Sequence, residues 1–216
     1  MTTLTKPQRD LIFGSLLGDG SLLTETQGRT WRYRAIQASE FQPYLFHKYN
    51  ILQNLCGTPP KESNTYDPRT QKTYFRWSFN TLIEPSLKFY GDMFYRFNPT
   101  TQKFEKDVPF HIDKFLTPEA LAYLYMDDGA IKWLGHSNAM RICTENFTID
   151  GTIRIKKALL NLYGIKTNLS KKKTQEGERK RIEIPESSSA TFCELIKPHL
   201  VDCMKYKVSD GKRGHL

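Results

Sequence analysis

Two stretches of this chain are apolar for the length of a helix and then close on an acid and a glycine. The first is Leu11-Ile12-Phe13-Gly14-Ser15-Leu16-Leu17-Gly18-Asp19-Gly20, and the second is Leu121-Ala122-Tyr123-Leu124-Tyr125-Met126-Asp127-Asp128-Gly129. Their acid endings lie 109 residues apart, about half of the chain. Each stretch has a helix start before it. Thr5-Lys6-Pro7-Gln8 fits a capping box, with Thr5 as N-cap and Gln8 three residues on. Thr117-Pro118-Glu119 places Thr at the cap, Pro at the first helical position and an acid in the first turn. The first helix is expected to run to about Asp19, with Gly20 left-handed at its end, and the second to Asp128, ended by Gly129. Gly14 and Gly18 are four apart and share a face. Glycine costs roughly 1 kcal/mol against alanine in a helix, so two on one face suit a close backbone approach.

Between and after these helices the pattern changes period. Thr30–Ala38 reads as a strand, with Arg32, Arg34 and Ile36 on one face and Trp31, Tyr33, Ala35 and Gln37 on the other; its ambiguous register suggests a bulge or strong twist. A helix follows over about Pro43–Leu55, stopped by Gly57-Thr58-Pro59-Pro60. Lys61–Tyr66 and Gln71–Phe79 read as a hairpin turning through Asp67-Pro68-Arg69-Thr70. In its second strand Phe75, Trp77 and Phe79 share one face, and Lys72, Tyr74, Arg76 and Ser78 the other. A helix over about Leu82–Tyr95 closes the first half, and residues 97–116, with Pro99 and Pro109, read as a linker.

The second half repeats this order. Strands are expected at Ile131–Leu134 and Ala139–Thr144, a helix from Thr148 to Tyr163 ended by Gly164, a hairpin of Lys166–Lys173 and Arg179–Ile184 turning through residues 175–178, and a helix about Ser188–Ile196 stopped by Pro198. Met204–Leu216 is left as a tail. Each half thus reads helix, two strands, helix, two strands, helix. The expected fold is α+β with two pseudo-symmetric αββαββα halves, 1–96 and 117–216, joined by the linker 97–116.

Composition narrows the function. The 216 residues carry a net charge of +9, of which +4 falls in residues 1–108 and +5 in residues 109–216, so a polyanion touching both halves is the simplest partner. No run of about 18 apolar residues could span a membrane. Cys56, Cys143, Cys193 and Cys203 have no CxxC spacing, which argues for buried thiols rather than zinc or redox motifs. Met1–Pro7 lacks the apolar core of a signal peptide, so the protein is expected to work where it is made.

The two acids carry the candidate chemistry. If the two helices pack side by side, Asp19 and Asp128 meet at helix C-termini that already bear partial negative charge. Such an arrangement repels itself, and a divalent cation such as Mg²⁺, which takes carboxylate, carbonyl and water oxygens, resolves the repulsion. Beside a phosphodiester it would polarise phosphorus and activate water.

Aligned on these endings, Ile12–Gly20 and Leu121–Gly129 resemble the paired motifs of the LAGLIDADG homing endonucleases, in the single-chain form with two motifs. The likeness extends over nearly the whole chain in element order. It departs at the sixth position, Leu17 and Met126 instead of an acid, and at the third position of the second motif, Tyr123 instead of glycine. The resemblance implies two packed motif helices, a curved antiparallel sheet from each half straddling duplex DNA, and Asp19 with Asp128 as the metal-binding catalytic pair. Gly18 and Asp127 stand beside them on the metal side, Asp127 rather as a cap or supporting group than as the ligand. Mg²⁺ is the expected cofactor, with Mn²⁺ or Ca²⁺ able to occupy the site. Lys106 and Lys207, at matching places in the halves, are expected to support the scissile phosphate, and Gln37, with Glu145, to position water or metal.

On the strands, Arg32, Arg34, Gln37, Arg69, Gln71, Lys72, Tyr74 and Arg76 in the first half, and Lys132, Arg141, Thr144, Lys171, Lys173, Arg179 and Arg181 in the second, are the expected DNA contacts. Arginine and glutamine suit base edges, and lysines phosphates.

The expected activity is therefore site-specific hydrolysis of both DNA strands, leaving short 3′ overhangs, by a monomer acting on a long, near-asymmetric site. An RNA maturase, or a DNA-binding regulator that kept the fold without cleavage, is the alternative. The resemblance also implies encoding in a mobile intron of an organelle or microbe.

Overall fold

The computed structural model describes residues 3–174 and 177–208; the turn residues 175–176 and the end of the expected tail, 209–216, lie outside the described residues. The capping box forms as expected: the Gln8 N–H donates to Thr5 Oγ1 at 3.4 Å, and the Thr5 N–H to Gln8 Oε1 at 3.0 Å. It starts α1 (Lys6–Leu16). The first half continues through β1 (Ser21–Leu23), β2 (Arg32–Ala38), α2 (Gln42–Leu52), β3 (Lys61–Asp67), β4 (Lys72–Asn80) and α3 (Leu87–Phe94). A two-stranded ribbon, β5 (Tyr95–Asn98) and β6 (Lys103–Lys106), follows. The second half is α4 (Pro118–Asp128), β7 (Gly129–Trp133), β8 (Ser137–Ile142), α5 (Ile149–Tyr163), β9 (Asn168–Thr174), β10 (Gly177–Ile184) and α6 (Glu186–Ile196). The order αββαββα thus occurs twice.

Each half builds one antiparallel four-stranded sheet of the same order, β1-β2-β4-β3 and β7-β8-β10-β9. Helices cover one face of each. Against the first sheet, the Phe46 and Tyr49 rings of α2 meet Trp77 and Phe79 at 5.4 and 5.5 Å. Against the second, α6 sets Cys193 Sγ at 3.6 Å from Met140 Sδ. The other face of each sheet is open. Helices α1 and α4 pack together at the centre of one buried cluster that runs through both halves. Thr117 Oγ1 donates to Asp10 Oδ1 at 2.8 Å across this seam.

Four local expectations need correction. α1 ends at Leu16, and Gly20 does not take the left-handed conformation. Its N–H donates to the Ser15 carbonyl at 2.7 Å, and a Cβ there would lie 2.8 Å from that same oxygen. Gly20 is thus required by crowding, whereas Gly164, at φ +65°, is the left-handed cap of α5. The helix expected from Leu82 begins only at Leu87, because residues 82–84 are drawn out to bond the Leu55 and Trp31 carbonyls. Strand β2 pairs with both neighbours without a register shift; the irregularity sits in β7, between Ile131 and Trp133. Finally, residues 97–116 are not plain connection. They hold most of the β5–β6 ribbon, and the Phe104 ring on it packs edge-on to Trp31 at 5.3 Å.

Candidate active site and nucleic-acid interface

The helix seam fixes the site. A Cβ on Gly14 would lie 2.1 Å from the Ala120 carbonyl oxygen, so α1 and α4 approach with backbone against backbone. At the end of the seam Gly18 faces Asp127, whose Cβ occupies the space a side chain at 18 would need, 2.5 Å away. The next residue of each motif, Asp19 and Asp128, therefore emerges at the same end of the helix pair. Asp19 is exposed and Asp128 half-buried. Burial, then the charges of Asp19 and Asp127, push the Asp128 carboxyl up to about 8, although Lys106 and Lys207 pull it down.

The two lysines close the motif ends in parallel fashion. Lys106 Nζ donates to the Gly18 and Gly20 carbonyls, both at 2.9 Å. Lys207 Nζ donates to the Met126 and Asp127 carbonyls at 2.5 and 3.1 Å. Lys207 thus takes up carbonyls that the last turn of α4 leaves unpaired, whereas Lys106 binds carbonyls of the turn that follows α1. Burial draws Lys106 down to about 8 and Lys207 down as well, against the three acids that hold them charged. Lys106 reaches its place because β6 ends there, so the ribbon within 97–116 is part of the site.

Gln37 and Asp127 stand elsewhere than their sequence positions suggest. Gln37 is buried on the helix-covered face of β2 and donates its Nε2 to Asp19 Oδ2 at 3.2 Å. It supports Asp19 and does not sit with Arg32 and Arg34 as a base reader. The Asp127 carboxylate is turned away from the cleft into an ion pair with Lys48, at 2.7 Å, both side chains being 1% exposed or less. Any oxygen that Gly18 or Asp127 offers a metal is thus a backbone carbonyl, and both carbonyls already accept a lysine. Among the described residues no cluster of three or more His, Cys, Asp or Glu side chains is set to hold an ion. A cation here would rest on the two carboxylates plus water and phosphate oxygens, a donor set that suits a hard divalent ion.

The open sheet faces hold most of the expected DNA contacts. Residues opposite each other in an antiparallel pair share a face. In the first sheet Arg32, Arg34, Arg76, Tyr74 and Lys72 lie on the open side, through the pairs Leu23–Arg32, Ser21–Arg34, Arg34–Asn80, Ala38–Arg76, Thr65–Tyr74 and Asp67–Lys72. Arg69 and Gln71 extend the row at the hairpin tip, both exposed. In the second sheet Arg141, Arg181, Arg179 and Lys132 are on the open side, Lys132 paired to Glu183 at 2.7 Å and Arg181 to Glu145.

Three of the expected contacts lie off the open face. Thr144 is buried and donates its hydroxyl to the Lys180 carbonyl at 2.9 Å. Lys171 and Lys173 stand opposite Lys180 and Glu178, on the face away from Arg179 and Arg181. Lys172, opposite Arg179, is the lysine on the open face. Glu145, expected beside the metal, is taken up by Arg181.

A family model described as the LAGLIDADG DNA endonuclease family matches residues 9–192. The chain belongs to that family. It is 63% identical to DNA endonuclease I-ChuI of Chlamydomonas applanata, over 99% of this chain and all of that protein. It is 29% identical to the cytochrome b mRNA maturase bI2 of Debaryomyces hansenii, over 96% of this chain and 75% of that one. Its fold superposes with a TM-score of 0.83 on the homing endonuclease I-WcaI bound to its DNA recognition sequence, at 20% identity, covering 97% of this chain and 88% of that one. The two stretches that resemble the family's motifs are α1 with the turn after it, and α4 with the first residue of β7. No helix of the described residues is long and apolar enough to cross a membrane.

Sequence reasoning missed Lys48, Tyr44 and Lys172. Lys48 lies between His47 and Tyr49 on a helix whose apolar spacing does not mark it, and its partner is 79 residues away. Lys172 sits in a run of three lysines, where no alternation marks the face.

Proposed function

We propose that this chain is a site-specific endonuclease that hydrolyses both strands of duplex DNA, acting as a monomer with one half on each side of a long, near-asymmetric site. The observation that carries this reading is the pairing of Asp19 and Asp128 at the joint end of the motif helices, flanked by Lys106 and Lys207, between two basic sheet faces. Asp19 and Asp128 would hold a divalent cation, Mg²⁺ in the cell, with Mn²⁺ or Ca²⁺ as substitutes. The fit is electrostatic: burial and the neighbouring Asp19 and Asp127 charges push the Asp128 carboxyl up to about 8, so its ionised form lacks a counter-charge that a divalent cation would supply. Once bound, the cation would supply Lewis-acid polarisation of the phosphate and a more acidic water.

The protein's own groups do the rest. Gln37 holds Asp19 Oδ2 in place. Lys106 and Lys207 bring positive charge to the rim where charge develops on the scissile phosphates, and their anchoring to four carbonyls limits their motion. Arg32, Arg34, Arg69, Gln71, Lys72, Tyr74 and Arg76 on one side, and Lys132, Arg141, Lys172, Arg179 and Arg181 on the other, bind phosphates and read base edges. Residues 1–96 and 117–216 are the two DNA-embracing halves, and 97–116 both connects them and delivers Lys106. Cleavage leaves short 3′ overhangs. Encoding in an organellar or microbial mobile intron accords with this reading.

The test is incubation with Mg²⁺ and DNA spanning the insertion site. The wild type should cut both strands, and Asp19→Asn and Asp128→Asn should each bind DNA without making double-strand breaks. Similarity to a yeast mRNA maturase keeps RNA in view. Binding without cleavage under any divalent cation, together with stimulated splicing of a host intron, would replace the endonuclease reading by the maturase one.

A further inference from the structure

The seventh motif position is Gly18 in one copy and Asp127 in the other, and the two touch. A Cβ at 18 would lie 2.5 Å from Asp127 Cβ and 2.7 Å from Asp127 Oδ2, so the seam has room for one side chain here. That side chain is an acid, fully buried, in a place where an apolar group would cost less. A buried ion pair is weak evidence of stabilisation, because desolvation of both charges offsets their attraction. The hydrogen bonds indicate another use. Asp127 Oδ1 accepts from Lys48 Nζ at 2.7 Å and from the Tyr44 hydroxyl at 2.9 Å. Asp127 Oδ2 accepts from the backbone N–H of Asp19 at 3.2 Å. Lys48 Nζ also lies 4.3 Å from the Tyr44 ring centroid, so its charge is held from two directions.

We propose that Asp127, Lys48 and Tyr44 form a one-sided positioning network that fixes the backbone of Asp19, and with it the active site of one DNA strand only. This rests on the endonuclease reading above. Asp19 belongs to the first half, Asp127 to the second, and Lys48 and Tyr44 return to α2 of the first, so the network sets Asp19 only when the halves are docked. Among the described residues Asp128 receives nothing equivalent from the first half, since the residue matching Asp127 there is Gly18. Its surroundings are the Lys207 clamp on the preceding carbonyls and the bond from the Cys143 N–H to its own carbonyl at 2.9 Å. The two sites therefore depend on different supports.

The test follows each strand separately in a duplex labelled on both 5′ ends, with DNA affinity measured in Ca²⁺. Removing Asp127 alone would leave Lys48 buried and unpaired, so the variants are doubles. Lys48→Met with Asp127→Ala keeps the core apolar and takes away the acceptor for the Asp19 N–H. Lys48→Met with Asp127→Asn keeps an amide oxygen for it and an amide N–H for the Tyr44 hydroxyl.

The alanine double variant should cut one strand more slowly by on the order of tenfold, the rate equivalent of one lost hydrogen bond, and accumulate a nicked product always cut in the same strand. The asparagine double variant should restore the wild-type strand ratio. A merely structural role would slow both strands by one factor, and that result, or an unchanged ratio in the alanine variant, would overturn the proposal. A wild type that cuts neither strand would instead overturn the endonuclease reading on which it stands.

Discussion

At the end of α1 the helix stops early, at Leu16, and two turn residues, Leu17 and Gly18, carry Asp19 into solvent; at the end of α4 the helix runs on through Asp128 and passes straight into β7. The same motif is thus finished in two ways. The first ending is a turn whose N–H groups at Leu17, Gly18 and Gly20 return to carbonyls of α1, and Asp19 itself is held from outside, by Asp127 on its N–H and Gln37 on its carboxylate, with Lys106 on the Gly18 and Gly20 carbonyls. The second is rigid by its own helical bonds and sits deeper, with Lys207 on its last carbonyls. A pair of sites that must act on two chemically equivalent phosphates does not need identical construction. It needs each carboxylate to be held, and one can be held by neighbours where the other is held by its own helix.

The seam is the place where this comparison breaks with the largest effect. Gly14 matches Tyr123 in the other motif, and the glycine is what lets the tyrosine fit, since a Cβ at 14 would lie 2.8 Å from Tyr123 Cβ and 2.1 Å from the Ala120 oxygen. Backbone on both sides cannot yield locally. Gly14→Ala should therefore destabilise the protein by about 3 kcal/mol or more, at the upper end of overpacking costs. Thermal unfolding would show it as a fall of roughly 6–12 °C for a chain of this length. If the melting temperature moved by only a degree or two, the helices would be farther apart than the seam described above.

A second effect separates the buried acid from the exposed one. The Asp128 carboxyl is raised from 3.8 to about 8 by burial and by Asp19 and Asp127. A folded-state value above the unfolded one means that the folded protein holds the proton more tightly. Metal-free stability should then fall as pH rises from about 4 to 8, where the unfolded carboxyl is ionised and the folded one is being forced to ionise. Asp128→Asn removes this penalty. The metal-free variant should melt above the wild type at pH 8, by a margin of about 1–2 kcal/mol once water access to the cleft is allowed for, and the margin should close as the pH is lowered. A divalent cation should erase the difference by stabilising the wild type alone. Calorimetry at pH 5 and pH 8, with and without Mn²⁺, checks both signs; a variant less stable than wild type at pH 8 would contradict them.

The sheets differ too. The open face of the second sheet carries its own acids, Glu183 on Lys132 and Glu145 on Arg181, whereas the ion pairs of the first sheet's basic residues lie at its ends, Arg32 with Glu25 and Arg69 with Asp67. Arginines already paired must exchange partners to meet DNA, which lowers the gain from each contact. Glu145→Gln removes the charge that holds Arg181 and should tighten DNA binding by a factor of a few, on the order of 1 kcal/mol, although both side chains of the pair are less than a fifth exposed. Titration at fixed salt measures it, and weaker binding would place Glu145 in the site after all.

How much of this was legible depended on whether neighbouring side chains differed in kind. Lys72–Phe79 alternates apolar with polar, so its open face could be assigned from the chain, and the register bears the assignment out. Helix starts were legible because Thr5, Thr117 and Thr148 cap through their own hydroxyls. The β5–β6 ribbon was not, since its four-residue strands are charged and flanked by proline. Nor was the Lys48–Asp127 pair, because a buried lysine is identified only by what surrounds it, and its surroundings come from the other half of the chain.

The smallest effect tests the register of β9. Lys171, Lys172 and Lys173 are chemically alike, so sequence could not say which of them faces DNA. Pairing places Lys172 beside Arg179 on the open face and Lys171 on the other, 3.2 Å from Glu178. A lysine that meets a phosphate releases counterion, so its loss lowers the slope of log affinity against log salt by about 1. Lys172→Ala should show that change, with affinity falling on specific and unrelated DNA alike. Lys171→Ala, at the same distance along the same strand, should leave the slope as it is. The comparison is internal: both variants lose one positive charge, so net charge cannot explain a difference between them. Equal slopes for the two would mean that DNA reaches both faces of the hairpin tip, and the one-residue distinction drawn from the strand pairing would then not govern contact.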